Sequence, residues 1–358
     1  MRSQEKRMDL PLLITTGVLV AFGLLMVYDA SVIKGLNDFK DNLYYIRQQL
    51  IWMAIGVFSL IFFAGFDYRK FKFLAVPSLL FSLLLLVAVF IPGLGVSGGG
   101  AHRWLRFGAV TIQPAEIIKL TGVIYLAVLF EKKIKIVPFL LLVAGVTLIT
   151  AVLQKDLGSS AVFVFTSFAI YFAAGGSIWH FILTIPVGIV AAMALVLTSG
   201  YRSKRILAFL DPFSDPQGYT YHILQVLIAL GSGGLLGLGL GHSRQKFAYI
   251  PEAHTDSIFA IIGEELGFMG GIFTVALFAI FLMRGFRIAQ NAEDNFGKIL
   301  GLGLTSWLGI QAIINLSSMT ALLPLTGVPL PFISYGGSAL VANLTAVGIL
   351  LNISKQTA

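Results

Sequence analysis

Ile258-Phe-Ala-Ile-Ile-Gly-Glu-Glu-Leu-Gly-Phe-Met-Gly-Gly-Ile-Phe-Thr-Val-Ala-Leu-Phe-Ala-Ile-Phe-Leu-Met283 is apolar or glycine except at Glu264, Glu265 and Thr274. As a helix it is long enough to cross the ~30 Å hydrocarbon core of a bilayer. Similar runs occupy Leu10–Val27, Leu50–Phe66, Phe73–Ile91, Ala115–Phe130, Ile136–Leu153, Ser159–Ala174, Ile178–Thr198, Ile299–Leu316 and Ser338–Ile353. Backbone polar groups find no water in lipid, so repeated runs of this length predict helices. The predicted fold class is all-α: a polytopic integral membrane protein with about ten transmembrane helices in a single domain, residues 1–358. A long extracytoplasmic loop, about 199–256, separates helices seven and eight.

Composition agrees: 57% of residues are hydrophobic, 12% charged, and mean hydropathy is +0.89. A net charge of +8 in a soluble chain would point to nucleic acid. In a membrane chain it points to phospholipid head groups and anionic lipid substrates, and no nucleic-acid partner is expected. The absence of cysteine excludes disulfides and thiolate metal sites. No G-x-x-x-x-G-K-[ST] spacing occurs, which argues against an ATP-driven pump. Met1–Asp9 carries Arg2, Lys6 and Arg7, and the Leu10–Val27 run behind it is too long for a signal-peptide core, so it is expected to be a retained first span.

With ten spans the termini share a side with Arg69, Lys70, Lys72, Lys132, Lys133, Lys135, Arg284, Arg287, Lys298 and Lys355, and these short loops are denser in cations than the opposite side. The positive-inside rule then places both termini in the cytoplasm. Tyr221–Gly241 is also one span long, but each glycine of Gly231-Ser-Gly-Gly-Leu-Leu-Gly-Leu-Gly-Leu-Gly241 costs a helix ~1 kcal/mol relative to alanine. A re-entrant or surface-lying segment is expected there. Pro92-Gly-Leu-Gly-Val-Ser-Gly-Gly-Gly100 is expected to be a flexible loop.

Polar residues gather in the segments assigned to the outer face. Before the quoted run stands Tyr249-Ile-Pro-Glu-Ala-His-Thr-Asp-Ser257, which brings Glu252, His254, Thr255 and Asp256 to the helix mouth. Ionisable groups there are costly unless paired or hydrated, and so mark function. Asp256 reads either as a helix N-cap or as a general base. With Ala260, Gly263 and Gly267 it would share one helix face, with Glu264 about 80° round. His254 reads as a hydrogen-bonded interfacial residue, since no H-x-x-x-H spacing occurs.

His102-Arg-Trp-Leu-Arg106 supplies Arg103, Trp104 and Arg106, and runs into Gln113-Pro-Ala-Glu-Ile-Ile-Lys119. Glu116 and Lys119 lie at i, i+3, as a structural ion pair or as the lining of an anion cavity. In Gln154-Lys-Asp-Leu-Gly158, Asp156 is a candidate partner for Lys119. Arg202 and Arg205, in Tyr201-Arg-Ser-Lys-Arg205, are either juxtamembrane surface charge or bidentate ligands for a pyrophosphate. Leu323-Pro-Leu-Thr-Gly-Val-Pro-Leu-Pro-Phe-Ile-Ser-Tyr-Gly-Gly-Ser338 holds three prolines in eight residues and reads as a rigid plug between the last two spans.

Trp104 with Gln113–Lys119, Gln154–Gly158, Pro251–Asp256, Gly263–Gly267 and Val328–Ser338 closely resemble the SEDS family (shape, elongation, division and sporulation), whose members include RodA, FtsW and SpoVE. The resemblance spans the chain. It implies a ten-helix peptidoglycan glycosyltransferase that polymerises lipid II on the outer face of the cytoplasmic membrane, with Asp256 essential. It implies a class B penicillin-binding protein as transpeptidase partner, beside other elongation-complex membrane proteins. Val328-Pro-Leu-Pro331 resembles the RodA branch and so favours elongation over division. Two positions depart from the family pattern: Ser257, where an apolar residue is usual, and Ala321, where glycine is usual.

The expected chemistry is inverting glycosyl transfer. Asp256 takes the proton of the acceptor 4-hydroxyl, and Arg103, Arg106, Lys119 and Arg205 stabilise the undecaprenyl-pyrophosphate leaving group. No cofactor is demanded; a divalent cation (Mg or Mn) held by Asp256 or Glu264 is an option, and Ser334 belongs to the expected cavity. The rival readings are a lipid II flippase using Glu116, Lys119 and Glu264 as a polar track, and a non-catalytic scaffold for the transpeptidase.

Overall fold

The computed structural model describes residues 8–356, apart from 99, 100, 109 and 248. Arg2, Lys6 and Arg7 of the basic N-terminus, and the last two glycines of the 92–100 stretch, lie outside the described residues. The helices are α1 (Leu10–Phe39), α2 (Tyr44–Gly65), α3 (Phe71–Ala88), α4 (Pro114–Phe130), α5 (Ile136–Thr147), α6 (Leu157–Ala173), α7 (Ile178–Leu197), α8 (Gly200–Leu210), α9 (Tyr221–Ser232), α10 (Ile258–Gln290), α11 (Asn295–Met319) and α12 (Gly337–Gln356). All ten apolar stretches are helical. Eight of the helical segments are long and apolar enough to cross a membrane; α4 and α6, at 17 residues each, are shorter.

Caps explain where helices begin. Asp9 accepts from the Leu12 N–H at 2.8 Å, Asp156 from Ser159 at 3.1 Å and Asp294 from Gly297 at 2.6 Å, each satisfying an orphan donor of the first turn. α12 and α11 form the centre, around Trp307, Leu304, Leu308, Ile349 and Leu350, all fully buried. The packing is close: Gly348 lies so near Leu60 of α2 that an added Cβ would sit 2.5 Å from its carbonyl oxygen. Large apolar side chains such as Phe58, Phe73 and Leu197 are exposed on the perimeter, as a lipid-facing surface requires.

The two ends of the bundle differ. At one end Asp9 pairs with Arg284 at 2.5 Å and its N–H bonds Ser354. The Tyr68 N–H bonds Asn352, Arg69 pairs with Glu293 and Asp294, and Lys72 pairs with Glu131. Both chain ends and the turns at 66–72, 131–135 and 291–294 are therefore tied together. The loops at 92–113, 154–156, 199–257 and 320–336 occupy the other end.

Two expectations are corrected at that loop-bearing end. Pro92–Gly100 is not simply a loop: β1 (Gly95–Gly98), β2 (Ala101–Phe107) and β3 (Val110–Ile112) form an antiparallel sheet in the order β1-β2-β3, with a register shift after Val96. The fold is thus helical with a small sheet. The quoted run is also not one continuous helix. α10 breaks at Gly267 (φ 64, ψ −161), a conformation open to glycine.

The break is filled by the glycine-rich segment. α9 runs alongside the first turns of α10, from His222 beside Ser257 to Leu230 beside Gly263. The chain then turns back. The Leu238 and Gly239 N–H groups donate to the Glu264 and Glu265 carbonyls (3.0 and 2.9 Å), and the Phe268 and Met269 N–H groups donate to Gly234 and Leu235 (2.9 and 3.2 Å). Close approach demands glycine: a Cβ on Gly237 would lie 2.1 Å from the Glu265 carbonyl oxygen. The irregular backbone is thus held on protein, as either a re-entrant or a surface-lying segment requires.

Candidate active site

Residues 249–257 form a knot of turns rather than the start of α10, so Asp256 precedes the helix instead of lying on one face with Ala260 and Gly263. Nor is it the N-cap; Ser257 takes that position, without a side-chain cap bond. The turn is closed by Glu252, whose φ of 53 is strained for a side-chain-bearing residue. Its carbonyl accepts from the Thr255 and Ser257 N–H groups at 3.1 and 3.4 Å. Asn315 of α11 then fixes the turn to the proline-rich plug, donating to the Asp256 and Val328 carbonyls at 2.8 Å each.

The Asp256 side chain is half-buried. Thr255 Oγ1 approaches Oδ1 at 3.2 Å, and Gly327, in a left-handed conformation, leaves room beside Oδ2. Burial pushes its carboxyl up to about 6; the negative charge of Glu252 adds to this, while the Thr255 hydroxyl and the Arg205 guanidinium oppose it. Glu252 moves the other way. Burial alone would raise it, but Lys34, 3.2 Å away, holds it below the usual carboxylate range. Two neighbouring acids with pKa values driven apart form an arrangement suited to general-base work.

Arg205 reaches the same neighbourhood from α8. Its Nη1 donates to the Leu325 carbonyl at 2.9 Å, and with Lys204, Tyr219, His222, Leu323 and Leu325 it lines a cleft of about 270 Å³. His254 is 2% exposed, between the rings of Tyr45 and Tyr335. Burial, aided by Lys34, pushes it down to about 4. It packs the turn and donates no proton at neutral pH.

Other expected cavity residues are placed elsewhere, by their hydrogen bonds. Lys119 and Glu116 pair at 2.7 Å, 2% and 0% exposed. Lys119 also donates to Gln311 at 2.6 Å, and Gln311 donates to the Pro329 carbonyl. This sealed cluster locks α4, α11 and the plug, and does not line an anion cavity. Asp156 does not meet Lys119: it caps α6 and lies 4.0 Å from Arg103. Arg202 is buried and donates to the Leu195 and Ala151 carbonyls, so it closes two helix ends rather than gripping an anion. Ser334 accepts from the Leu330 N–H at 2.8 Å and shapes the plug. Trp104 and Arg106 lie in β2, half-buried and exposed.

Glu264 is also a lock. It is 1% exposed and accepts from the Ser243 hydroxyl and from the Arg244 and Gln245 N–H groups. With its oxygens so engaged it does not fit as a metal ligand beside Asp256. Among the described residues no three His, Asp or Glu side chains converge as a metal site would need. Sequence reasoning missed a neighbouring cluster in which Lys246 bridges Asp29 (2.8 Å) and Glu265 (3.0 Å). It also missed the bond between His222 Nε2 and Ser257 Oγ, 2.8 Å. Lys246 and Asp29 are 217 residues apart, beyond any local signal.

Comparison with known proteins agrees with this architecture. The family described as "Cell cycle protein" (FtsW, RodA, SpoVE) matches residues 10–358. Stage V sporulation protein E of Bacillus subtilis is 42% identical over 100% of both chains. A probable peptidoglycan glycosyltransferase FtsW of Geobacter metallireducens is 41% identical over 98% of this chain and 96% of its own. Among solved structures, one described as the structural coordination of polymerization and crosslinking by a peptidoglycan synthase complex superposes with a TM-score of 0.78, at 27% identity over 97% of both chains. The chain belongs to the FtsW/RodA/SpoVE family, the SEDS proteins.

Proposed function

We propose that this chain is a peptidoglycan glycosyltransferase that polymerises lipid II, with Asp256 as general base. The observation that carries this reading is one half-buried carboxylate, lifted to about 6 by burial and lying in the field of the Arg205 guanidinium, which itself lines a cleft with Lys204. The acceptor 4-hydroxyl attacks the anomeric carbon of the polyprenyl-linked donor, and Asp256 takes its proton. The new glycosidic C–O bond forms with inversion as the bond to pyrophosphate breaks. Arg205 and Lys204 stabilise the negative charge that develops on the leaving group. No step is routed through a metal.

The cation-rich end that holds both termini is assigned to the cytoplasm and the Asp256 end to the outer face, with ten spans crossing the cytoplasmic membrane. The flippase reading needed Glu116, Lys119 and Glu264 to form a polar track. They are closed into separate clusters, which leaves it without support. The branch assignment also moves: relatives at 42% and 41% identity bear sporulation and division names, so a division or sporulation role replaces the elongation role read from Val328-Pro-Leu-Pro331. A class B penicillin-binding protein fits as the crosslinking partner, since the superposing structure is of a synthase complex.

The test is polymerisation of lipid II by the purified, reconstituted protein, alone and with its transpeptidase. Asp256→Asn is expected to lose glycan-chain formation by about 10²–10⁴-fold while staying folded. Chain lengthening at the unsubstituted rate would refute the general-base role.

A further inference from the structure

Ser257 occupies the N-cap of α10, where a serine hydroxyl normally accepts from an N–H of the first turn. It makes no such bond. The side chain is fully buried, and its hydroxyl turns away from the helix, 2.8 Å from His222 Nε2 and 3.3 Å from the Pro251 carbonyl. The hydroxyl is both donor and acceptor, so it bonds either imidazole tautomer at Nε2, and the shorter of its two contacts is the one to the ring.

Besides the Lys34–Glu252 ion pair, three hydrogen bonds from other elements hold the 251–257 knot. Asn315 grips the Asp256 carbonyl from α11. The Tyr335 N–H donates to the His254 carbonyl at 2.9 Å from the plug. His222 holds Ser257 from α9. The first two grip main chain on either side of the plug; the third reaches the residue next to Asp256 from a wall of the cleft, since His222 lines it with Lys204, Arg205 and Tyr219.

We propose that His222 is a positioning residue for Asp256, acting through Ser257 to aim the carboxylate at whatever sugar the cleft presents. The inference rests on the general-base reading above. Its physical basis is the steep dependence of proton transfer on geometry, where a displacement of ~1 Å costs about 10²-fold.

His222→Phe keeps an aromatic ring and deletes the ring nitrogen's half of the bond; Ser257→Ala deletes the hydroxyl's half. Each is expected to lower kcat for lipid II polymerisation about 10- to 100-fold, with KM unchanged within about twofold. His222→Gln, which returns an N–H near Nε2, is expected to recover most of the loss. The double variant His222→Phe/Ser257→Ala is expected to be no worse than either single change, because one interaction is being removed twice. A loss confined to KM, losses that multiply in the double variant, or a glutamine no better than phenylalanine would each overturn the proposal. Should His222→Phe fail to fold, Ser257→Ala and His222→Gln carry the same test. The two readings separate cleanly. An active Asp256→Asn defeats the general base itself, whereas an inactive Asp256→Asn beside a His222→Phe of full kcat defeats only the positioning role.

Discussion

Asp256 and Glu264 are eight positions apart, one in the knot before α10 and one in its first turns, yet their carboxylates are treated in opposite ways. Glu264 accepts a hydroxyl and two backbone N–H groups and is sealed from solvent. Among the described residues Asp256 accepts one side-chain hydrogen bond, from Thr255, and it stays half-exposed beside Gly327. A buried charge with every lone pair engaged is a structural tie; a carboxylate left short of donors keeps its affinity for a proton. The number of satisfied lone pairs, rather than depth or motif membership, separates the acid proposed to react from the tie.

Substitutions test that contrast in order of size. Asp256→Asn, already described, should remove activity without weakening the fold. Because the folded state holds the Asp256 proton more tightly than the unfolded chain does, the native carboxylate loses stability as pH rises from about 4 to 6, and asparagine escapes that loss. Glu116→Ala belongs to the opposite class. It leaves Lys119 charged and buried, and is expected to destabilise by about 3–5 kcal/mol, seen as a lowered thermal midpoint in detergent. Glu264→Gln turns an acceptor toward two N–H donors into an amide with donors of its own. A loss of about 2 kcal/mol is expected, with kcat per folded molecule unchanged; a selective loss of kcat would make Glu264 a participant and break the comparison.

A pH series sharpens it. With Asp256 titrating at about 6 and the ionised form active, the rate at pH 5 should be about a tenth of its plateau above pH 7. A rate that stays flat to pH 4.5 would mean another group accepts the proton. The smallest effect expected lies far from the chemistry. Ala321 adopts a φ of 54, where a side chain is strained, so Ala321→Gly should stabilise by about 1 kcal/mol and leave the rate alone.

Much of this was legible in the sequence. All ten apolar runs became helices, because hydrocarbon leaves the backbone few alternatives. The glycines of 231–241 end the helix, which stops at Ser232. Ala321, flagged as a departure, turned out to sit where glycine suits the backbone. What stayed hidden depended on partners distant in sequence. The strand at Gly95–Gly98 exists only because β2 pairs with it. The break at Gly267 looks like one more small residue on a helix face until the returning 234–239 segment supplies its hydrogen bonds. Opposite charges were paired by nearness in helical spacing, which found Glu116–Lys119 but not Asp156–Arg103 or Asp29–Lys246–Glu265. For the candidate site, the sequence singled out Asp256 and its turn, whereas telling the open carboxylate from the sealed one required a count of donors.

The interruption of α10 also sets an order of events during synthesis. Residues 234–239 leave the ribosome ahead of 264–269, yet the Leu238 and Gly239 amides and the Gly234 and Leu235 carbonyls find their partners in that later segment. An arm with unpaired backbone cannot settle in lipid alone, so it waits at the interface or in the translocation machinery until the following span arrives. This part of the fold is therefore completed only after the first half of α10 is made, and a stall in translation between those two segments would leave a half-built arm as the exposed species.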